Sequence, residues 1–197
     1  MKNIACKNNR KKSRIISFLT LTVAVFTVAV SCCACGTHAY HEGLDSYYKE
    51  MSSVGLTKYL IPDGFLDEFE YTDGEFYYKL DEPFPFSHTI ESTLMCITYS
   101  DSIYNNVKNY VLTDFEVNEE TDTAIGSCES YAFYINKKSN YKTSSQHFNA
   151  FSYNDDTYTL IFIGFDSADK LYEFENNQIT DFDDLFKTYF PWYDFEN

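Results

Sequence analysis

The run of residues 158–165 constrains the fold more than any other segment of the chain. Its sequence, YTLIFIGF, is apolar or aromatic at nearly every position. Because side chains alternate between the two faces of a strand, such a run fits a strand that is buried on both faces. We therefore predict that residues 158–165 form the central strand of a sheet.

Further strands are predicted around this one, mostly as antiparallel neighbours. The polar turn at residues 154–157 joins the central strand to the strand before it, and the Asp73-Gly74 dipeptide is the strongest hairpin signal in the chain. The predicted strands, besides the central one, are 68–72, 75–80, 91–99, 115–117, 123–135 and 147–153.

Three helices are predicted from apolar residues spaced three and four apart. The first covers residues 41–53, the second begins at a cap on Ser100 or Asp101 and ends near Leu112, and the third follows a cap at Asp181. Hairpins with helices segregated along the chain indicate an α+β fold. We expect a single antiparallel sheet of about six strands, with the three helices packed on one face.

The N-terminal region has the charge and hydropathy order of a secretory signal. Six basic residues and no acidic one precede an apolar run at residues 15–30, and small residues follow it. This run is shorter than the roughly 20 residues that a membrane-spanning helix needs. Export with cleavage is therefore favoured over an uncleaved anchor, and both alternatives place the rest of the chain outside the cytoplasm.

The end of this leader carries a more specific motif, Ala29-Val30-Ser31-Cys32. It resembles the lipobox of bacterial lipoproteins, although alanine stands where leucine is usual. The resemblance implies that Cys32 is lipidated and becomes the new N-terminus, with Cys35 as the second choice. Diacylglycerol and acyl chains such as palmitate would hold the protein on the outer face of the cell membrane of a bacterium, which we expect to be Gram-positive.

The resulting domain plan has three parts. Residues 1–31 are the expected lipoprotein signal peptide, residues 32–42 a flexible tether, and residues 43–197 a single acidic α+β domain. Cysteines 33 and 35 with histidines 38 and 41 offer ligands for zinc or copper. Their spacing matches no closed structural site, so we predict a tether, no metal and no cofactor.

The charge of the exported part excludes several classes of partner. The formal net charge of −15 becomes −21 once the six basic residues of the leader are removed. This much negative charge repels phosphate backbones and anionic lipid, so nucleic acid is not expected as a partner. Contact with the membrane is expected through the N-terminal lipid alone.

Two cysteines fall in predicted strands, Cys96 and Cys128. An exported protein can keep a disulfide, and this one would close a long loop if the two strands were neighbours. The alternative is two separate buried thiols. Strand order cannot be derived from the sequence, so both alternatives stay open.

The sequence contains no catalytic motif of the common hydrolase, metalloprotease or phosphate-binding types. The histidines beyond the tether, His88 and His147, have no recognisable nucleophile beside them in the sequence. We therefore predict no enzymatic activity. Abundant carboxylates keep a carboxylate-dependent hydrolase of the cell envelope as an alternative.

The C-terminal aromatic residues are the candidate contact surface. Trp192, Tyr193 and Asp194 could stack on a sugar ring and accept its hydroxyl groups, or could instead pack onto the sheet. We expect a binding or accessory module for a surface protein, a peptide or a glycan. A structural envelope protein is the third alternative.

Overall fold

The computed structural model describes residues 37–51, 55–82, 89–139, 146–191 and 193. The described residues from His38 onward belong to one compact unit. The predictions for the leader, including Cys32 and Cys35, lie outside the described residues, as do those for His88, Trp192 and Asp194.

A seven-stranded antiparallel sheet forms the centre of the fold. Its strands are β1 (Thr37–Glu42), β2 (Asp73–Glu82), β3 (Ile90–Thr98), β4 (Gly126–Cys128), β5 (Tyr131–Ile135), β6 (His147–Asn154) and β7 (Thr159–Ser167). Their order across the sheet is β1-β2-β3-β7-β6-β5-β4. Strand β7 lies in the middle of this order, which confirms the prediction for residues 158–165. A separate two-stranded hairpin follows, β8 (Phe174–Glu175) and β9 (Gln178–Ile179).

Among the residues that the structure describes, four α-helices accompany the sheet, so the predicted α+β class is confirmed. They are α1 (Leu44–Ser46), α2 (Phe65–Glu68), α3 (Asp101–Asp114) and α4 (Phe182–Tyr189). Helix α1 continues into a π-helical turn at Tyr47–Met51, and a 3-10 helix covers Gly55–Tyr59. The predicted second and third helices are confirmed as α3 and α4, while the predicted first helix begins three residues later than expected.

The two long helices lie on opposite faces of the sheet, so the expectation of three helices on one face is wrong. Along β3, Met95 and Ile97 share a hydrophobic core with Val107 of α3. Leu94, which points to the other face, shares a second core with Leu185 of α4. Because β7 is buried at seven consecutive positions, both of its faces need a cover. We call the two sides the α3 face and the α4 face.

The Asp73-Gly74 dipeptide lies inside a strand, and the hairpin predicted there is wrong. Strand β2 begins at Asp73, which pairs with Thr98 of β3. A Cβ atom on Gly74 would lie 2.6 Å from Cδ1 of Leu44, so this glycine permits close packing and makes no turn. The predicted strand 68–72 is also wrong, because the chain there leaves helix α2, whose Phe65 is fully buried on the α3 face.

Two further strand predictions need correction. Residues 115–117 form no strand, because Phe115 ends helix α3 and is buried against the α3 face. The strand predicted at 123–135 is divided into β4 and β5 by a turn in which Glu129 adopts a left-handed conformation, with φ of 53°. With two predicted strands absent, this one divided and β1 added, the sheet of the described residues has seven strands, where about six were expected.

Strand β1 occupies residues 37–42, which were expected to belong to the tether. The N–H of Gly43 donates a hydrogen bond to the Phe76 carbonyl at 2.8 Å, and the His41 ring lies 5.8 Å from the Tyr78 ring. Residue numbers therefore increase along β1 in the direction in which they decrease along β2, so the two strands are antiparallel. The chain is part of the sheet from Thr37 onward. Within the described residues, no helix is long and apolar enough to cross a membrane.

Candidate binding cavity

A cavity of about 970 Å³ opens on the α4 face. It lies beyond the C-terminal end of α4, over the end of the sheet where β2 and β7 begin and β3 and β6 end. Its volume falls at the upper end of the roughly 300–1,000 Å³ that is typical of small-molecule sites. The cavity is therefore large enough to hold an organic ligand.

The floor of the cavity is a row of polar side chains that crosses four strands. Asp73 pairs with Thr98, Thr98 with Thr159, and Thr159 with Asn154. The hydroxyl oxygens of Thr98 and Thr159 lie 3.1 Å apart, and Asn154 Nδ2 donates to the Tyr131 hydroxyl at 3.0 Å. The row therefore presents hydroxyl, amide and carboxylate groups to whatever enters.

The change from apolar to polar rows explains why α4 does not cover this end of the sheet. The helix packs on the row that contains the apolar side chains of Leu94, Ile163 and Ala150. The next row towards the cavity holds Cys96 and Ser152, and the hydroxyl group of Ser152 is buried without a hydrogen-bond partner. The row after that one holds Thr98, Thr159 and Asn154, which line the cavity, and an apolar helix face over this row would leave their polar groups without partners.

Aromatic rings form the wall on the helix side. Phe186 and Phe190 lie at the end of α4, with their ring centroids 5.0 Å apart, and Pro191 and Tyr193 follow them. Tyr131 contributes a further ring from the β4–β5 side. Phe186, Phe190 and Tyr131 are buried, whereas Tyr193 is half-buried, so the Tyr193 ring is the one of this wall that can contact a ligand with both apolar and hydroxylated surfaces.

Tyr193 attaches the C-terminal segment to the sheet. Its hydroxyl lies 3.5 Å from Sγ of Cys96 on β3. Burial, the largest cause, raises the pKa of the Cys96 thiol to about 11 and also raises the pKa of Tyr193. Both groups are therefore protonated at neutral pH. Of the three C-terminal residues expected as ligand contacts, Tyr193 is the one that the structure describes, and it lines the cavity.

Cys96 and Cys128, for which the sequence leaves a disulfide bond open, both line the cavity as free thiols. Strands β7, β6 and β5 separate β3 from β4, so the condition of neighbouring strands is not met. Cys128 Sγ instead donates to Asp183 Oδ1 at 3.1 Å. Burial, followed by the Asp183 carboxylate, raises the pKa of Cys128 to about 12. The structure thus shows the alternative of two separate thiols.

The cavity is acidic. Asp73 and Glu75 project from β2, and Glu129 lies in the β4–β5 turn. Lys187 is the lysine of its lining, and its ammonium group lies 2.8 Å from Asp183 and 3.8 Å from Glu129. The Tyr77 hydroxyl donates to Glu75 Oε2 at 3.2 Å, and burial together with the Glu75 charge raises the pKa of Tyr77 to about 12.

The remaining candidate groups lie elsewhere. His147 begins β6, at the opposite end of the strands from the cavity, and its Nδ1 is 3.2 Å from Asp166 Oδ1. His41 packs beside Tyr78, while the cysteines of the metal-binding alternative lie outside the described residues. Among the described residues, no group of three or more histidine, cysteine or acidic side chains is placed to hold a metal ion.

Comparisons with protein families, with curated proteins and with solved structures found no match to this chain. The site is therefore interpreted from its own geometry. Sequence reasoning missed the floor residues Thr98, Asn154 and Thr159 because they come from three different strands. Two of them flank turn regions in the sequence, but only the strand register shows that they form one row.

Proposed function

We propose that this protein is a lipid-anchored extracytoplasmic binding module and that its cavity holds a glycan. The observation that carries the proposal is the polar floor row beside an aromatic wall, within a cavity of about 970 Å³. Sugar rings combine apolar C–H faces, which stack on aromatic rings, with hydroxyl groups that need hydrogen-bond partners. The floor of Thr98, Thr159 and Asn154 supplies such partners.

The position of the cavity favours a glycan over a peptide. Extended peptides are commonly bound through main-chain hydrogen bonds at an exposed sheet edge. The cavity instead lies on the face of β2, β3, β7 and β6, each of which has a paired strand on both sides. At the cavity β3 and β7 are paired on both sides, so recognition by these two strands depends on side chains, which suits a hydroxylated ligand.

A carboxylate-dependent hydrolase is the second candidate, because three carboxylates line the cavity. Paired catalytic carboxylates stand on both sides of the scissile bond, about 5–9 Å apart. Asp73 and Glu75 project from one face of one strand, and so would contact the same side of a ligand, while Glu129 in the β4–β5 turn lies 3.8 Å from the ammonium group of Lys187. This arrangement favours binding. Release of new reducing ends from a bound glycan would favour the hydrolase instead.

The binding proposal is tested with the lipid-anchored protein in nanodiscs, on an array of bacterial envelope glycans. The Thr98→Val variant removes a floor hydroxyl at nearly constant volume and should weaken binding of any retained glycan by about fivefold, as expected for one net hydrogen bond. Thr113→Val, at an exposed position on α3, is the matched control. Binding that is equal in both variants, or an array on which no glycan binds, would overturn the proposal.

The anchor is tested separately by the intact mass of the protein in the membrane fraction. Wild-type protein should begin at Cys32 with a diacylglycerol-sized increment, and Cys32→Ala should lose that increment and leave the membrane. A Cys32→Ala protein that stays in the membrane with its leader attached would contradict the lipid anchor.

A further inference from the structure

One wall of the cavity brings a tyrosine ring and two carboxylates together on β2. Asp73 and Glu75 point to the α4 face two residues apart, and Tyr77 follows at the next position on that face. The Tyr77 hydroxyl donates to Glu75 Oε2 at 3.2 Å, which fixes the carboxylate beside the ring. Among the described residues, no lysine forms an ion pair with Asp73 or Glu75.

The α3 face shows what the same groups do when a lysine is present. Lys108 Nζ lies 3.7 Å from the centroid of the Tyr153 ring, 3.1 Å from Asp155 Oδ1 and 3.6 Å from Glu119 Oε1. The Tyr153 hydroxyl donates to Glu119, as the Tyr77 hydroxyl does to Glu75. A tyrosine ring with a hydroxyl-bound glutamate and a nearby aspartate is thus an ammonium-binding arrangement in this fold.

The other charged residues of the cavity also favour a ligand with a positive charge. The one lysine of its described lining, Lys187, is already paired with Asp183 at 2.8 Å and Glu129 at 3.8 Å. An anionic ligand would therefore meet uncompensated carboxylates on β2, whereas a cation would meet two carboxylates and an aromatic face. Both the geometry and the charge of this wall match a primary ammonium group.

We infer that the cavity selects saccharides that carry a free, protonated amine, with the ammonium group bound by Glu75 and the Tyr77 ring and attracted further by the charge of Asp73. This inference rests on the proposed function, because it names the class of glycan that the cavity binds. Its hydroxyl groups would contact the floor row of Thr98 and Thr159, and a sugar ring would stack on the aromatic wall. An N-acetylated saccharide of the same length keeps the rings and hydroxyl groups but loses the charge.

Calorimetric titration of the anchored protein in nanodiscs with two oligosaccharides of equal length tests the inference. The probes are an oligomer of β-1,4-linked glucosamine with free amines and its fully N-acetylated counterpart, both at a pH where the amines are protonated. The amine form should bind at least tenfold more tightly, the range expected for hydrogen bonds to charged groups. Its affinity should fall when salt is raised from about 0.05 M to about 0.5 M.

Three variants locate the effect. Glu75→Gln should remove most of the preference for the amine form while leaving the acetylated form unaffected, and Tyr77→Leu should weaken both. Glu120→Gln, which makes the same charge change in the exposed turn after α3, is the control and should leave both affinities unchanged. Thermal unfolding of each variant shows that the fold is retained.

The outcomes separate this inference from the proposed function. Equal affinity for the two oligosaccharides, or a preference that survives in Glu75→Gln, would overturn the amine inference and leave glycan binding standing. A lysine-containing peptide of equal charge serves as the third probe. If only the peptide binds, both glycan binding and the inference about saccharides are overturned. If none of the three probes binds, both are overturned as well.

Discussion

Replacement of Gly126 by alanine is expected to destabilise the protein by pushing α4 away from the sheet. Gly126 lies on edge strand β4, where a Cβ atom would be 2.2 Å from Cγ of Phe182, at the start of α4. Carbon atoms rest about 3.5–4.0 Å apart, so the ring would have to move by about 1.3 Å or more. Phe182 is only 3% exposed, and its ring centroid lies 5.3 Å from that of Phe133. There is little space for this movement.

The size of the effect follows from this overlap. Overpacking of a well-packed core costs typically 1–3 kcal/mol, and the severe contact here places Gly126→Ala at about 2–3 kcal/mol. For a domain of this size, the loss corresponds to a fall in melting temperature of roughly 4–12 °C. Because φ of Gly126 is not in the left-handed region, backbone strain does not add to the cost. Urea unfolding followed by circular dichroism measures the change.

A matched control and a rescue make the prediction specific. Ser127→Ala changes the adjacent, exposed residue and should alter stability by less than about 0.5 kcal/mol. Phe182→Leu should relieve the overlap, so the double variant with Gly126→Ala should lose at least about 1 kcal/mol less than the two single changes added together. If Gly126→Ala is as stable as wild type, or if the two changes are simply additive, the packing of α4 against β4 is not as described.

Three further predictions concern charge and thiol chemistry. Lys108→Met should lower the free energy of unfolding by about 1 kcal/mol, because two carboxylates and the Tyr153 ring lose their cation, and the difference from wild type should shrink at high salt. Burial raises the pKa of Cys96 to about 11, so its alkylation at pH 8 should be roughly 200-fold slower than that of a free thiol. The alkylation rate should increase about tenfold per pH unit. A rate close to that of a free thiol would show that Cys96 is not buried as described. The backbone hydrogen bond from Asn118, then Lys137, lowers the pKa of Asp122, so its stabilisation is present above about pH 4 and lost as pH falls through the folded-state pKa. Asp122→Asn should therefore flatten the decline of the urea midpoint in acid, and an unchanged decline would contradict this role.

The elements that the sequence predicts well are those whose local pattern decides their structure. Helices α3 and α4 have apolar stripes, and β6 and β7 are alternating or continuous apolar runs around a polar turn. Each is formed close to its expected bounds. The predicted cap residues Ser100 and Asp181 precede the two helices, but neither makes a side-chain cap hydrogen bond. Strand β7 also carried information about the whole fold, because a strand that is apolar on both faces needs a layer on each side. That consequence contradicts the one-sided packing expected for the helices.

Other elements depend on contacts that are distant in the sequence. The Asp73-Gly74 dipeptide is typical of a hairpin turn, yet it opens strand β2, where Leu44 packs beside Gly74. Strand β1 has no strong strand pattern of its own and is held by pairing with β2. In both places tertiary packing outweighs the local preference.

The cavity could not be predicted from the sequence, because it also depends on contacts between residues that are distant in the sequence. Its floor combines single residues from β2, β3, β6 and β7, which are brought into one row by strand order and register. The concentration of aromatic residues at the C-terminus predicts Tyr193 as a contact residue. No local pattern indicates that this tyrosine approaches Cys96, which lies 97 positions earlier.

Mapping of backbone amide chemical shifts during titration with the glucosamine oligomer tests the central claim most directly. If the cavity on the α4 face is the binding site, the largest shifts should occur at Thr98, Asn154 and Thr159 of the floor and at Glu75 of the acidic wall. Residues of α3, on the opposite face, should remain unchanged. Shifts that are concentrated on α3, or no shifts at a saturating oligomer concentration, would contradict the account.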